Sequence, residues 1–296
     1  MKQRALIAGC GFVGLATARL LQGRGWEVGG LTHSEESAGA LAGEHFPVLA
    51  CDLSDAAALA RLHSWEYADV VIHCASSGRG GADAYRAVYL DGARNVLERL
   101  RPKQLLFTSS TSVYAQTDGS TVDENSPAEP DRETGRVLRD TEELVLQHGG
   151  TVARLAGIYG PGRSVLLRKF STGEAVIEAD GRRFVNQVHR DDIASALTTL
   201  AAANATGIFN VVDDEPLTQR AIYEWLAAHF GKPIPPTGPM DPNRKRGWTN
   251  KRVSNAKLRG LGWAPRFPSF RDAIEHDPEL VAALSQEHPG SITKHP

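Results

Sequence analysis

The sequence predicts an α/β fold: a doubly wound parallel sheet covered by helices on both faces, with a smaller C-terminal lobe. Three observations carry that expectation. Short, continuously apolar runs alternate with stretches of helical periodicity as far as about residue 155, the pattern of strands buried on both faces. The first apolar run, Ala5-Leu6-Ile7-Ala8, drives straight into Gly9-Cys10-Gly11-Phe12-Val13-Gly14 and then into a helical stretch, Leu15 to Leu21. From about residue 160 the regularity breaks, with Gly160-Pro161-Gly162 and Pro233-Ile234-Pro235-Pro236 as punctuation. An irregular part of this kind suits a lobe laid over the carboxyl ends of the strands, where such folds bind ligands.

The elements follow in order. Glu27 to Thr32 reads as the second strand and Pro47 to Cys51 as the third. Asp52-Leu53-Ser54-Asp55 ends the third strand and caps a helix running through Leu62. Asp69 to Ala75 is the fourth strand, Ala82 to Leu100 a helix stopped before Pro102, and Gln104 to Thr108 the fifth strand. Thr134 to His148 reads as a helix with Gly149-Gly150 as its stop, and Thr151 to Leu155 as the sixth strand. Two later pieces are expected to return to the sheet: Val188 with a helix from Asp191 through Ala203, and the strand Gly207 to Val212. The domain reading is residues 1–160 with returns at about 185–213, and a substrate lobe made of 161–184 and 214–296.

A strand, a glycine-rich turn and a helix start in that order form a cradle for a dinucleotide diphosphate. Gly9 permits the tight turn, Gly11 lets backbone approach the phosphates, and Gly14 lets the helix pack on the strand. Free N–H groups at the helix N-terminus then face the anion. Phe12 and Val13 belong to the same cradle. The fold is therefore expected to be of the Rossmann type, with NAD or NADP bound. An NAD-specific site usually carries Asp or Glu at the tip of the second strand, whereas this chain has Thr32-His33-Ser34. With no carboxylate to repel it, a 2′-phosphate is acceptable there, which leans the reading to NADP; Glu35 and Glu36 lie close enough to oppose the lean.

Composition narrows the class. The 296 residues are 41% hydrophobic, enough for a real core, and Lys+Arg 33 against Asp+Glu 35 gives no polyanion-binding surface. Neither a nucleic-acid nor a membrane partner is expected. The one basic run, Arg244-Lys245-Arg246, reads as a solvated loop. No apolar run reaches the roughly 20 residues that span a bilayer, and the chain enters its first strand at once, so the expected location is cytoplasmic. Cys10, Cys51 and Cys74 are widely spaced without a C-x-x-C and read as small buried residues. No metal site is expected.

By these residues the chain resembles the extended short-chain dehydrogenase/reductase family, of the NAD-dependent epimerase/dehydratase type, over almost its whole length. Gly11-Phe12-Val13-Gly14 looks like the end of the family's glycine motif, with Ala8 at its first glycine, and the spacing used is that of the atypical branch. Asp52-Leu53 resembles the pair that contacts adenine, and Cys74-Ala75-Ser76 the segment beneath the cofactor. Asp91 to Leu97 is similar to the family's N-x-D-G-T-x-N-x-L helix, with Tyr89 in place of the asparagine. Ser109-Ser110-Thr111-Ser112-Val113-Tyr114 resembles S-S-x-x-V-Y-G, whose second serine polarises the substrate oxygen. Arg154 to Pro161 and His189 to Ala194 match two further segments.

The resemblance also shows what is missing. The family carries Y-x-x-x-K on the helix after the fifth strand: the tyrosine exchanges a proton with substrate, and the lysine lowers its pKa and holds the nicotinamide ribose. Aligned on Glu142, this helix has Thr134 and Leu138 at those positions, and no tyrosine of the chain begins a Y-x-x-x-K. Arg136 and Arg139 do not share the Thr134–Leu138 face. The candidate catalytic residues are then Ser110, at a strand's carboxyl end, and Tyr114 and Tyr159, the tyrosines expected near the pocket mouth. Arg163 is a candidate for phosphate or carboxylate binding. His189 with Asp191 and Asp192 reads as structural, Asp191 as a helix N-cap.

Two readings of function stay open. One is an NAD(P)-dependent oxidoreductase or isomerase acting on a hydroxyl or carbonyl of a small polar molecule, by resemblance a nucleotide sugar, without the Tyr/Lys pair. The other is a non-catalytic dinucleotide-binding protein, a redox sensor or structural partner. A homodimer pairing the helices Ala82–Leu100 and Thr134–His148 is expected from the resemblance and from the apolar surface of the second helix.

Overall fold

Seven of the apolar runs pair into one parallel sheet: β1 (Arg4–Ala8), β2 (Glu27–Thr32), β3 (Val48–Ala50), β4 (Val70–His73), β5 (Gln104–Ser110), β6 (Thr151–Leu155) and β7 (Gly207–Val211). In the computed structural model, which describes residues 2–78, 80–240 and 249–287, they lie in the order β7-β6-β5-β4-β1-β2-β3. The order reverses between β1 and β4, where Ala8 stands opposite His73. Helices therefore diverge to opposite faces there and leave a crevice at the carboxyl edge. Ala5 to Ala8, Val71, Ile72, Leu106 and Phe107 are fully buried, as strands covered on both faces require.

On one face α1 (Phe12–Gly23) packs against α4 (Arg190–Ala202). On the other lie α2 (residues 82–99) and α3 (Glu133–Gln147). The run called α2 is continuous but not uniform: an α-helix Ala82–Tyr85, a π-helical stretch Arg86–Asp91 and an α-helix Gly92–Arg99. His73, buried at the end of β4, puts its Nε2 3.0 Å from the Val88 carbonyl of the widened turn.

The helix after β3 is capped by Asp55, which accepts from the N–H groups of Ala57 and Ala58, but it spans only Ala56–Ala60 before a 3₁₀ turn at His63–Trp65. The cap of α4 is a correction. His189, not Asp191, is the N-cap: it has extended backbone and its Nδ1 accepts from the Asp191 N–H at 3.2 Å. Asp191 already lies in the first turn, where it pairs with Arg190, and the Asp192 carboxylate accepts the N–H groups of Arg266 and Phe267.

Segments beyond β6 that do not return to the sheet form a second apolar cluster around Phe170, Ile177, Tyr223, Leu226, Phe267 and Phe270. It includes α5 (Gln219–Phe230) and α6 (Phe270–His276). This lobe is tied to the sheet by polar contacts: His189 Nε2 to Asp277 Oδ2 at 3.0 Å, and Lys251 Nζ to the Tyr114 carbonyl at 2.8 Å. Arg244-Lys245-Arg246 lies outside the described residues. Among the described residues no helix is long and apolar enough to cross a membrane.

Candidate functional site

The glycine turn builds one wall of the crevice, and its three glycines do different work. Gly9 has φ +100°, and a Cβ there would stand 2.2 Å from the Ala75 nitrogen, so β1 and β4 approach only because the side chain is missing. A Cβ on Gly14 would stand 2.1 Å from the Gly9 carbonyl oxygen and 3.0 Å from Ile7 Cγ2, so this glycine seats α1 on the turn and on β1. At Gly11 nothing lies within 4 Å of the same position. Gly11 is also the N-cap of α1 and brings no side-chain cap, so the helix start faces open space with its dipole uncompensated.

That space is a cavity of about 580 Å³ running along the carboxyl edge of β1, β4 and β5. Gly9, Gly11, Phe12 and Val13 line it, as do Thr32, His33, Cys74, Ala75 and Ser76. A smaller cavity of about 330 Å³ beyond it is lined by Asp52 and Leu53, and shares Gly9, Thr32, His33, Ala75 and Ser76 with the larger one. Gly14 lies beneath the turn. Ser34 is turned away and caps the short helix Glu35–Gly39, its Oγ accepting from the Ser37 N–H at 3.2 Å. Ser37 lines the cavity in its stead. Glu35 and Glu36 are exposed and line neither cavity. The carboxylate nearest His33 is that of Asp52, 3.9 Å from Nδ1.

Burial pushes the thiol of Cys10 up to about 11, and those of Cys51 and Cys74 to about 11 and 12. All three are neutral; Cys10 and Cys51 are buried as expected, whereas Cys74 is half-buried and lines the cavity.

At the other end of the cavity β5 delivers two serines with different tasks. The Ser109 hydroxyl donates to Glu142 Oε1 at 2.6 Å, inside the protein. Glu142 also accepts from Arg154 Nε and Nη2, at 3.0 and 2.7 Å, and from Arg139. This fully buried carboxylate thus locks β5, β6 and α3 together. Ser110 is half-buried and lines the cavity. Its Oγ accepts from the Ser112 N–H at 3.2 Å, which leaves its own hydrogen to donate outward.

The two tyrosines expected at the pocket mouth are corrections. Tyr114 is fully buried: its hydroxyl donates to Asn210 Oδ1 at 2.9 Å and the Arg154 guanidinium lies over its ring at 4.8 Å. Burial raises its pKa against the opposing pull of Arg154. Tyr159 is 1% exposed in the second apolar cluster, and burial, with Asp213 adding to it, pushes its phenol well above the usual range. Neither lines the cavity, so neither is placed to exchange a proton there.

The tyrosines that do line it are Tyr85 and Tyr89 of α2. Their i, i+4 spacing on one helix face was the available signal, together with Tyr89 standing where the asparagine was expected. Leu138 lines the cavity from α3, whereas Thr134 does not. Arg163 also lines it and lies over the Phe12 ring at 5.3 Å, with Arg190 at the same distance from that ring.

Comparison with known proteins agrees with this geometry. Residues 5–211 match the model of the NAD dependent epimerase/dehydratase family. Protein YeeZ of Escherichia coli K12 is 31% identical over 244 residues, 77% of this chain and 84% of YeeZ. A 3-diazoavenalumate denitrifying reductase of Streptomyces is 27% identical, covering 92% of this chain and 99% of that protein. Among solved structures, a Methylobacillus flagellatus protein described as an NAD-dependent epimerase/dehydratase is 29% identical with a TM-score of 0.77, covering 96% and 99% of the two chains. A UDP-glucose 4-epimerase of Thermotoga maritima has a TM-score of 0.78 at 21% identity, covering 96% and 99%, a likeness of fold alone. With its Rossmann-type sheet, its glycine cradle and a match over most of its length, the chain belongs to the NAD-dependent epimerase/dehydratase family.

Proposed function

We propose that the protein is an NAD(P)H-dependent reductase of small, strongly electrophilic acceptors that works without the family's tyrosine–lysine pair. The observation that carries this reading is the α3 wall of the cavity, which Leu138 lines and Thr134 does not. Epimerisation of a sugar needs a base that withdraws a hydroxyl proton, and neither residue can serve as one. Reduction of an electron-poor acceptor makes no such demand.

The crevice fits a dinucleotide. The open helix start at Gly11 and the N–H groups of Phe12 and Val13 would hold the diphosphate, and Cys74-Ala75-Ser76 would lie beneath the cofactor. Thr32, His33 and Ser37 supply donors at the β2 tip without a carboxylate on that strand end, which favours NADP over NAD. A bound reduced nicotinamide supplies a hydride. Ser110 donates its hydroxyl hydrogen to the acceptor oxygen, and the Ser112 N–H fixes that hydroxyl's orientation. Leu138, Leu155, Ala156 and Ile158 form the apolar side that excludes water. An activated aldehyde fits this chemistry, and so does a diazo group, the acceptor class in the name of the Streptomyces relative.

The test is oxidation of NADPH followed at 340 nm with 4-nitrobenzaldehyde and with a 2-diazophenol. Turnover of either acceptor above the uncatalysed rate supports the reading. Calorimetric binding of NADPH with no turnover of either would overturn it in favour of a cofactor-binding protein without catalysis.

A further inference from the structure

Tyr89 sits on the π-helical stretch of α2 and lines the cavity with Ser110, Ser112 and Leu138. Its ring is held on three sides. Phe107 meets it edge-on at 5.9 Å between centroids, Tyr85 edge-on at 5.0 Å, and His73 lies against it at 6.2 Å with 30° between planes. His73 is itself fixed, its Nε2–H donating to the Val88 carbonyl, and burial keeps it neutral by lowering its pKa to about 4. The phenol therefore has little freedom to lose when a ligand arrives.

The Tyr89 ring is buried but its hydroxyl opens on the cavity, where it can donate to whatever fills that space. Tyr89 is 9% exposed, it borders the cavity, and among the described residues its hydroxyl has no hydrogen bond. The partner it can meet is whatever fills the cavity. Its helix packs on α3, whose Leu138 lines the same space. One helix thus brings a phenol to the corner where the neighbouring helix offers only a methyl-tipped side chain.

Resting on the reductase reading, we propose that Tyr89 is the proton donor of the site for carbonyl acceptors. The carbonyl carbon takes the hydride and forms a C–H bond while the C=O π pair moves onto oxygen. That oxygen, held by the Ser110 hydroxyl, takes the proton of the Tyr89 hydroxyl, and the phenolate recovers one from water through the cavity. NADPH is oxidised and the aldehyde becomes an alcohol. A 2-diazophenol follows a different balance: hydride adds to the terminal nitrogen to give a diazene, its N–H proton passes to water as the C–N bond breaks and N₂ departs, and the ring carbon takes a proton back from water, so a phenolate with a new ring C–H remains and no net proton is drawn from Tyr89.

The two acceptors therefore separate a proton donor from a packing residue. Tyr89→Phe keeps the ring and its three neighbours. Its reduction of 4-nitrobenzaldehyde should fall about 100-fold, the usual size of a general-acid contribution, while 2-diazophenol reduction stays at the wild-type rate. A second readout is independent of turnover. The anion 4-nitrophenolate mimics the developing oxyanion, and its binding, followed by its absorbance shift, should weaken about tenfold in Tyr89→Phe, or 1.4 kcal/mol, while NADPH binds unchanged. Equal losses for both acceptors would make Tyr89 a packing residue and overturn the inference. So would wild-type rates for both, unchanged nitrophenolate binding, or the aldehyde-specific loss appearing in Tyr85→Phe instead. A wild-type protein inert toward both acceptors overturns the reductase reading and this inference with it, whereas an active one matched by Tyr89→Phe overturns this inference alone.

Discussion

Gly11→Val separates the ligand-binding work of the glycine turn from its structural work. With no atom within 4 Å of the added Cβ, that carbon meets no protein, and the expected stability cost is the poorer N-cap, about 1 kcal/mol or less. The same side chain fills the space before the α1 N-terminus, where a diphosphate would approach. Loss of that approach should weaken NADPH binding at least 100-fold, about 2.7 kcal/mol. Gly14→Ala is the converse. Its Cβ falls 2.1 Å from the Gly9 carbonyl oxygen, so backbone must move, and overpacking of this kind costs roughly 1–3 kcal/mol or more. Calorimetric titration with NADPH and urea unfolding of both variants give the two numbers. Wild-type affinity in Gly11→Val would refute the placement of the diphosphate. A stability loss there as large as in Gly14→Ala would refute the division of roles.

Three further outcomes follow from the geometry. Ser110→Ala should cut 4-nitrobenzaldehyde turnover sharply whereas Thr134→Ala leaves it nearly unchanged, because only Ser110 borders the cavity; steady-state kinetics showing the reverse would overturn both roles. Glu142→Gln removes the charge that Arg154 and Arg139 share at a fully buried site and should cost about 3–5 kcal/mol in urea unfolding; a loss under about 1 kcal/mol, the value of an exposed pair, would contradict that reading. His73, held neutral with its pKa lowered from 6.5 to about 4, contributes stability that is complete above pH 6.5 and lost as pH falls toward 4. Linkage puts the loss at roughly 3 kcal/mol. The stability difference between wild type and His73→Gln should shrink by that amount between pH 7 and pH 4, and a constant difference would contradict the assignment. Asp192, raised by burial to about 6, works in the opposite direction and cancels in that difference.

What could be read from the sequence was what local chemistry decides. Central strands buried on both faces are continuously apolar and were legible for that reason; the edge strand Val48–Ala50, with Leu49 exposed, and the returning Gly207–Val211 were legible from their short apolar runs. The turn between β1 and α1 was legible because glycine is required at Gly9, where φ is +100°, and at Gly14, where a Cβ would meet the Gly9 carbonyl. Register and long-range partners decide the rest. The strand containing Ser109 and Ser110 runs into a 3₁₀ turn, after which Tyr114 is drawn back toward Asn210, 96 positions away in sequence. No local pattern announces that partner. Tyr85 and Tyr89 were overlooked because which helix face meets the cavity depends on how α2 packs on α3, and the π-helical stretch that sets their position has no sequence signature. Ser34 and Ser37 show the same limit at the β2 tip: a capping hydrogen bond turned one away and left the other at the cavity.

Transfer of deuterium from 4-deuterated NADPH into 4-nitrobenzaldehyde asks the molecule itself whether the crevice is a reductase site. With wild-type protein, the 4-nitrobenzyl alcohol formed should carry one deuterium at the benzylic carbon, from a single face of the cofactor, and Gly11→Val should abolish the label. Unlabelled product, or no product from protein shown by calorimetry to hold NADPH, would contradict the proposed function.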